Sequence, residues 1–280
     1  MAITAAGGVA LIMGAVVRFE CCLRVQQEDC AALGNLASIN AHQLAIVAAG
    51  GGDAVVGAMG RLEDDAKMQS VGCLALGNMA RTESTEEAIT AAGGAAVVVR
   101  AMVRFKGYAL VQKWGCMALG NLAGSAANKV AIAAAGGVAL AIGAMERFEQ
   151  VVDDVFVQKW ACYVLKNLAG NAVNQEAIAA AGGVGLVIRA LRRFESDAGV
   201  QDDGCEALWH LAWGNGKKRE REFVYERCTI PILPFNHCLI TALPLPYSPV
   251  CFLLFVCARV ATNSQSKIET LLRRMGASKQ

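Results

Sequence analysis

The chain has 280 residues, of which 55% are hydrophobic and 18% are charged, and its formal net charge is +2. Charges of both signs are interspersed along the chain, which excludes the basic stripe typical of nucleic-acid-binding proteins. None of the 11 cysteines forms a C-x-x-C pair or lies at metal-ligand spacing from a histidine, so we predict no metal site. This cysteine usage favours a reduced, intracellular location, which we expect to be the cytoplasm or else the nucleus.

A short segment reading I-x-A-A-G-G recurs through most of the chain. Its copies begin at Ile3, Ile46, Ile89, Ile132 and Ile178, at intervals of 43, 43, 43 and 46 residues. A second segment, C-x-A-L-x-N-L-A or close to it, begins at Cys30, Cys73, Cys116, Cys162 and Cys205. A fixed period of this length predicts a solenoid whose units bury their apolar faces only against one another. The first copy starts inside its short helix, and we expect the chain to be part of a longer array.

Each copy reads as three helices of increasing length. In one copy, ANKVAIAAAG predicts a short helix that ends at Gly136-Gly137, VALAIGAMERF predicts a second, and VQKWACYVLKNLAG predicts a third. The glycine pair supplies the positive φ of a tight helix–helix turn. This unit resembles the armadillo repeat over residues 1–215, whereas HEAT repeats lack the third helix. The resemblance implies an all-α, right-handed α-solenoid, with the third helices lining a concave groove.

Winding the third helices at about 100° per residue separates a buried face from a polar face. The buried face carries the equivalents of Val111, Gly115, Cys116, Leu119 and Leu122, so the five repeated cysteines should be buried and unpaired. By resemblance to the armadillo family, the opposite face should form the floor of the groove. The predicted partner-binding residues on it are Asn35, Asn78, Asn121, Asn167, His210, Trp114, Met117, Trp160, Tyr163, Trp209, Lys113, Lys159 and Lys166.

Asparagine occupies one position of this face in four copies, and His210 occupies it in the fifth. A side-chain amide offers both a donor and an acceptor, which matches the main chain of an extended peptide. Peptide binders of the armadillo family use such an asparagine ladder. The alternative is that each asparagine bonds to the neighbouring repeat near its helix end.

Aromatic and charged residues are unevenly distributed along the predicted floor. Three of the four tryptophans lie there, and aromatic side chains are enriched at binding hot spots. The alternative for these rings is stacking at a repeat junction. Lysines surround the rings, while Asp202, Asp203 and Glu206 follow one row later, so we predict a groove that is basic at its centre and acidic towards its C-terminal row. Tryptophan never precedes the ladder position by four residues as it does in the nuclear-import adaptors, so the pattern does not support recognition of basic localisation signals.

No catalytic pattern is visible in the sequence. The glycine pairs follow the repeat and not a strand-to-helix turn, and the three histidines have no companion at triad or metal spacing. We therefore predict a protein that is not an enzyme and that has no cofactor, metal or small-molecule substrate.

The chain after residue 215 departs from the repeat. All five prolines lie between Pro231 and Pro249, and residues 216–260 read as a non-repeat, Pro-rich apolar segment. Residues 261–280 resume repeat text, so 216–260 is interpreted as the translation of a retained intron. The alternative is a membrane anchor at 238–258, which is long enough to span a bilayer but contains three prolines.

Two functions are compatible with the repeats. The first is a protein–protein interaction scaffold that binds an extended peptide or a partner helix in the groove. The alternative is an architectural spacer segment of a larger multidomain armadillo protein, for example a kinase-linked one. Trp, Tyr and Lys in two adjacent rows favour the scaffold, because a spacer needs no such cluster.

Overall fold

The computed structural model describes residues 7–150 and 155–213, which form fourteen α-helices and no β-strand. The first copy contributes α1 (Gly8–Arg18) and α2 (Leu23–Ala37), and the second contributes α3 (Asn40–Ala48), α4 (Gly51–Arg61) and α5 (Ala66–Met79). The third contributes α6 (Glu83–Ala91), α7 (Gly94–Arg104) and α8 (Ala109–Leu122), and the fourth α9 (Ala126–Ala134), α10 (Gly137–Arg147) and α11 (Val155–Leu168). The fifth contributes α12 (Ala172–Ala180), α13 (Gly183–Arg193) and α14 (Ala198–Trp213). The predicted all-α solenoid of three-helix units is confirmed.

Three predictions lie outside the described residues: the Pro-rich non-repeat segment at 216–260, the alternative membrane anchor at 238–258 and the resumed repeat at 261–280.

The glycine pair makes the corner between the first and second helix of each copy. The first glycine of every pair has a positive φ: Gly7, Gly50, Gly93, Gly136 and Gly182, between 79° and 92°. The second glycine allows close approach, since a Cβ on Gly51 would lie 2.6 Å from Cγ2 of Ile46 and 2.8 Å from its carbonyl oxygen. The isoleucine and both glycines of the I-x-A-A-G-G segment therefore act together to form the tight turn between the two helices.

A buried glutamine joins the third helix of each copy to the second. The Nε2 of Gln69 donates to the carbonyl oxygens of Met59 and Leu62, at 2.9 and 3.0 Å. These carbonyls belong to the end of α4, where a helix has no intrahelical donors left to satisfy them. Equivalent bonds are made by Gln26, Gln112, Gln158 and Gln201. The glutamine near the start of each third helix is thus a structural element.

The third helices, α2, α5, α8, α11 and α14, pack side by side along the array. The predicted buried face is confirmed in α8, where Val111, Cys116 and Leu122 are fully buried. Cys30, Cys73, Cys116 and Cys162 are buried free thiols, whereas Cys205 is only half-buried, which corrects the prediction for that position. Burial raises the pKa of Cys116 to about 12, and that of Cys30 likewise to about 12. These thiols are therefore unreactive packing groups.

Within the described residues, no single helix is long and apolar enough to cross a membrane. Two helix pairs, α3 with α4 and α9 with α10, reach the required length and composition together, but they are bent by 73° and 64°.

Candidate functional groove

The ladder asparagines join neighbouring repeats. The Nδ2 of Asn78 donates to the carbonyl oxygen of Gly34 at 3.0 Å. Asn121 donates in the same way to Gly77 at 2.8 Å, and Asn167 donates to Gly120 at 2.9 Å. Asn35 is exposed, and its side chain makes no hydrogen bond to any described residue. Bonding to the neighbouring repeat, one of the two interpretations of the ladder, is therefore present at three of the four asparagines.

A glycine precedes three of the four asparagines, and it faces the neighbouring third helix. A Cβ on Gly34 would lie 3.0 Å from Cα of Ala75 in the next repeat. A Cβ on Gly120 would lie 2.6 Å from Cε1 of Tyr163. The Gly-Asn dipeptide thus has a packing role. The glycine allows the next third helix to approach closely, and its carbonyl oxygen accepts a hydrogen bond from the asparagine of the next repeat.

One asparagine has both ends of its amide engaged. The phenol of Tyr163 donates to Oδ1 of Asn121 at 2.8 Å, while Nδ2 of Asn121 donates to Gly77. Asn78 and Asn167 also use Nδ2, but their Oδ1 atoms accept no bond from the described residues. The ladder is therefore not uniform along the groove.

A groove of about 840 Å³ crosses the third helices obliquely. It runs from the end of α5 to the start of α14, so it collects side chains from four repeats. Its walls are Asn78, Arg81, Met117, Asn121, Lys159, Trp160, Tyr163, Ala198, Gly199, Asp202 and Asp203. Six predicted residues are brought together in it: Asn78, Asn121, Met117, Trp160, Tyr163 and Lys159. Met117 is only 5% exposed and forms the floor, and Trp160 is half-buried with its ring packed edge-on against Tyr163, the centroids 5.6 Å apart.

A second cavity of about 500 Å³ shares Arg81, Asn121 and Tyr163 with the groove. It lies along the ends of α5, α8 and α11, and it adds Asn167, Lys129 and Glu86 to the continuous surface. Glu86 is buried and accepts bonds from the backbone N–H of Ser125 and from Nδ2 of Asn128, at 2.9 and 2.7 Å. The carboxylate of Glu86 therefore holds the start of α9 in place.

Lys166 pairs with two of the three acids of the predicted acidic row. Its ammonium contacts Asp203 at 2.8 Å and Glu206 at 2.7 Å. Burial alone would lower the pKa of Lys166, but the hydrogen bonds and charges of these two carboxylates outweigh burial and raise it above 10.5. Lys166 stands where three other copies have glycine, so an ion pair replaces close glycine packing at this junction. Two acids of the predicted C-terminal row are thus paired with a lysine of the predicted basic centre, whereas Asp202 lies in the groove wall without an ion pair to the described residues.

Lys113 lies between two aromatic rings. Its Nζ is 4.1 Å from the centroid of Trp114 and 4.1 Å from that of Phe156 in the next repeat. Burial lowers the pKa of Lys113. Lys159, one turn after Phe156, has its Nζ 5.1 Å from the centroid of Trp160. Cation–π contact therefore holds both lysines against rings, and of these two lysines only Lys159 lines the groove.

The structure leaves other predicted residues outside the groove. Trp114 is half-buried against the core, and neither it nor Trp209 lines either cavity. His210 stacks edge-on against Trp209 with a centroid distance of 4.7 Å. Burial lowers the pKa of His210, and Lys129 and Lys166 act in the same direction against Glu206. The imidazole makes no hydrogen bond to the described residues, so it does not continue the inter-repeat bonds of the asparagines there.

The sequence analysis missed two residues, one that lines both cavities and one exposed ring that contacts Lys113. Arg81 lies one turn after Asn78 and lines both cavities. Phe156 lies one turn before Lys159 and is 51% exposed. Extending the helical winding by one turn at each end of the third helix identifies both positions. Among the described residues, no cluster of His, Cys, Asp or Glu could hold a metal ion.

The fold is similar to that of engineered proteins and of a designed armadillo repeat protein. One solved engineered protein from the Northeast Structural Genomics Consortium aligns over 95% of this chain and 94% of its own, with 24% identity and a TM-score of 0.66. A second engineered protein from the same consortium aligns over 98% of this chain but only 58% of its own, with 27% identity and a TM-score of 0.68. A designed armadillo repeat protein aligns over 85% of this chain and 94% of its own, with 17% identity and a TM-score of 0.63. No protein-family model and no curated protein matches the chain.

Proposed function

We propose that the chain is an armadillo-type protein-interaction scaffold whose groove binds an extended segment of a partner protein. The observation that carries this proposal is one groove that gathers Trp160, Tyr163 and Met117 together with side chains of two further helices, α5 and α14. Adaptable polar groups around rigid aromatic anchors are the usual composition of a binding hot spot. The likeness to engineered and designed repeat proteins supports a scaffold and says nothing of the ligand.

In this proposal, the ladder asparagines contact the bound segment through their side-chain oxygens. The Nδ2 atoms of Asn78 and Asn167 are engaged with neighbouring repeats, but their Oδ1 atoms accept no bond from described residues. Each Oδ1 can accept a main-chain N–H of a bound segment. The two rungs are two repeats apart, about 20 Å at a helix spacing of about 10 Å. An extended ligand covers that distance with about six residues.

The alternative function is an architectural spacer of a larger protein. The inter-repeat bonds of the asparagines favour it, because they give the ladder a structural role that needs no ligand. Under this alternative, Trp160 and Tyr163 would serve repeat packing alone.

Selection from a displayed library of random 12-residue peptides against the immobilised 280-residue chain separates the two functions. We expect enriched peptides whose affinity for Trp160→Ala is about tenfold lower, since truncated hot-spot aromatics cost at least 1–2 kcal/mol. Trp114→Ala is the matched control, because this ring packs against the core and lines neither cavity. No enrichment, or equal loss in the two variants, would favour the spacer.

A further inference from the structure

One position near the start of the third helices carries side chains that reach back to the preceding repeat. It lies two residues before the buried glutamine of each of these helices. In α5 the position holds Lys67, which pairs with Glu28 of α2 at 3.0 Å. In α11 it holds Phe156, whose ring centroid lies 4.1 Å from Nζ of Lys113 in α8. A long side chain at this position therefore covers part of the preceding third helix.

The last third helix has glycine at this position. Gly199 lies two residues before the buried glutamine of α14, as Phe156 does in α11, and both glutamines make the same bond to the second helix of their own repeat. A Cβ on Gly199 would lie 2.6 Å from Cε and 2.7 Å from Cδ of Lys159. Lys159 thus lies beside Gly199 as Lys113 lies beside Phe156, but position 199 has no side chain to cover it.

The two lysines therefore differ in the number of rings that they contact. Nζ of Lys113 lies 4.1 Å from the centroid of Trp114 and 4.1 Å from that of Phe156. Nζ of Lys159 lies 5.1 Å from the centroid of Trp160, and no second ring contacts it among the described residues. A cation within about 6 Å of a ring centroid is attracted by the face of the ring. The place of the second ring is thus filled beside Lys113 and open beside Lys159.

This open place lies in the wall of the groove. Lys159, Trp160 and Gly199 all line the groove, whereas Lys113 and Phe156 line neither cavity. The incomplete arrangement is therefore the one that a bound segment can reach.

The charged side chains of the groove wall balance one another. They are the cations Arg81 and Lys159 and the acids Asp202 and Asp203. Burial raises the pKa of Asp203, whereas Lys166 and, more weakly, Lys159 oppose that rise, so Lys159 already acts on an acid of the wall. An uncharged side chain with a π face suits this wall better than a charged one, because it needs no counter-ion.

We propose, on the basis of the function proposed above, that the groove takes an aromatic side chain of the bound segment into the open place beside Lys159 and Gly199. The ligand ring lies against Lys159 as Phe156 lies against Lys113, with the ammonium between it and Trp160. The missing Cβ of Gly199 provides the space. The ligand class is accordingly a peptide segment that contains Phe, Tyr or Trp.

Ring replacement in the ligand tests this class against the full 280-residue chain. In the enriched library peptides, the aromatic residue is changed to Phe, to cyclohexylalanine, which keeps the shape of Phe without its π face, and to Ala. We expect the Ala peptides to bind about tenfold more weakly than the Phe peptides. Cyclohexylalanine should lower the affinity by about two- to fivefold, the range of an exposed cation–π contact. Equal affinities of the Phe and cyclohexylalanine peptides would overturn the aromatic preference.

Filling the open place from the protein side tests its location. Gly199→Phe gives α14 the ring that α11 has at Phe156, and only the flexible end of the Lys159 side chain has to move aside. We expect this variant to bind the Phe peptides about tenfold more weakly, but to bind the Ala peptides as the unaltered chain does. Leu110→Phe is the matched control, because it adds a ring at the same position of α8, where Leu110 is 47% exposed and lines neither cavity. Urea unfolding verifies that both variants are folded.

Removing the ammonium tests the contact with the lysine. Lys159→Met keeps most of the apolar length of the side chain and removes its charge. We expect the Phe and cyclohexylalanine peptides to bind this variant with equal affinity. A preference for Phe that persists in Lys159→Met would overturn the assignment of the ring to Lys159.

The outcomes separate the two proposals. If no peptide is enriched, the peptide-binding function fails and the aromatic site fails with it. If peptides are enriched but changing their aromatic residues to Ala has no effect on affinity, the function stands and the aromatic site is overturned. The same holds if Gly199→Phe weakens the Phe and Ala peptides equally or weakens neither, because the added ring and the ligand ring then do not compete for one place.

Discussion

Tyr163 donates its phenolic hydrogen bond to Oδ1 of Asn121 across 42 residues of sequence, at 2.8 Å. Asn121 in turn donates to the carbonyl oxygen of Gly77, so one amide connects α5, α8 and α11. The ring of Tyr163 also lies 5.0 Å from the ammonium of Lys166, which pairs with α14. Polar contacts thus continue across four repeats beneath the groove.

Removing the phenolic hydroxyl should weaken this connection without disturbing the packing. We expect Tyr163→Phe to lower the free energy of unfolding by about 0.5–1.5 kcal/mol, the net contribution of one hydrogen bond. Urea unfolding followed by circular dichroism measures it. An unchanged unfolding midpoint would show that Asn121 gains an equally good partner in water.

The four ladder asparagines should differ in their contribution to stability. Asn121→Ala removes two inter-repeat hydrogen bonds and leaves the carbonyl of Gly77 without its donor, so we expect a loss of about 1–3 kcal/mol. Asn35→Ala is the matched control and should change stability by less than about 0.5 kcal/mol, because Asn35 is exposed and unbonded within the described residues. Equal effects in urea unfolding would contradict a structural role for the ladder.

The ion-paired cluster at the junction of the last two repeats should depend on all its members. Lys166→Met leaves Asp203, whose side chain is 9% exposed, without its counter-charge, and should cost about 3 kcal/mol or more. The double variant Lys166→Met/Asp203→Leu should recover most of that loss, because an apolar pair needs no charge compensation. Failure of the double variant to recover stability would mean that the lysine acts through its shape.

The same lysine predicts a pH dependence at the alkaline end. The folded-state pKa of Lys166 is raised above 10.5, so its stabilising effect is fully present below that pH and is lost as pH rises through the folded value. The stability difference between the unaltered chain and Lys166→Met should therefore be constant from pH 7 to about 10 and shrink above it. Urea midpoints of both proteins across this range test the prediction, and a constant difference up to pH 12 would refute it.

Close packing of the third helices should make one glycine intolerant of a methyl group. We expect Gly34→Ala to cost about 1–3 kcal/mol, because the added Cβ would lie 3.0 Å from Cα of Ala75, a backbone atom that cannot move aside alone. Gly143→Ala is the matched control, since a Cβ there meets nothing within 4 Å and alanine favours a helix by about 1 kcal/mol. Thermal unfolding should shift in opposite directions for the two variants.

Sequence periodicity alone determined the units and their corners. The glycine pair at Gly136-Gly137 predicts a helix end with positive φ, and Gly136 has a φ of 92°. Such features depend on local backbone sterics, which act on adjacent residues and recur wherever the same letters recur. The buried positions of the third helices followed for the same reason, because helical winding fixes which side chains share a face.

Only the tertiary structure decided which of the groove residues are available to a ligand. Lys166 looked like a free cation and Asn121 like a free amide, yet each is paired with a residue 37 to 42 positions away. These partners meet because adjacent third helices pack side by side. At the junction of the last two repeats, lysine in place of glycine at position 166 replaces close packing with an ion pair. The sequence therefore determined the array and its polar face. Helix-to-helix packing determined which amide oxygens stay open, the pairing of Lys166 with Asp203 and Glu206, and the oblique course of the groove.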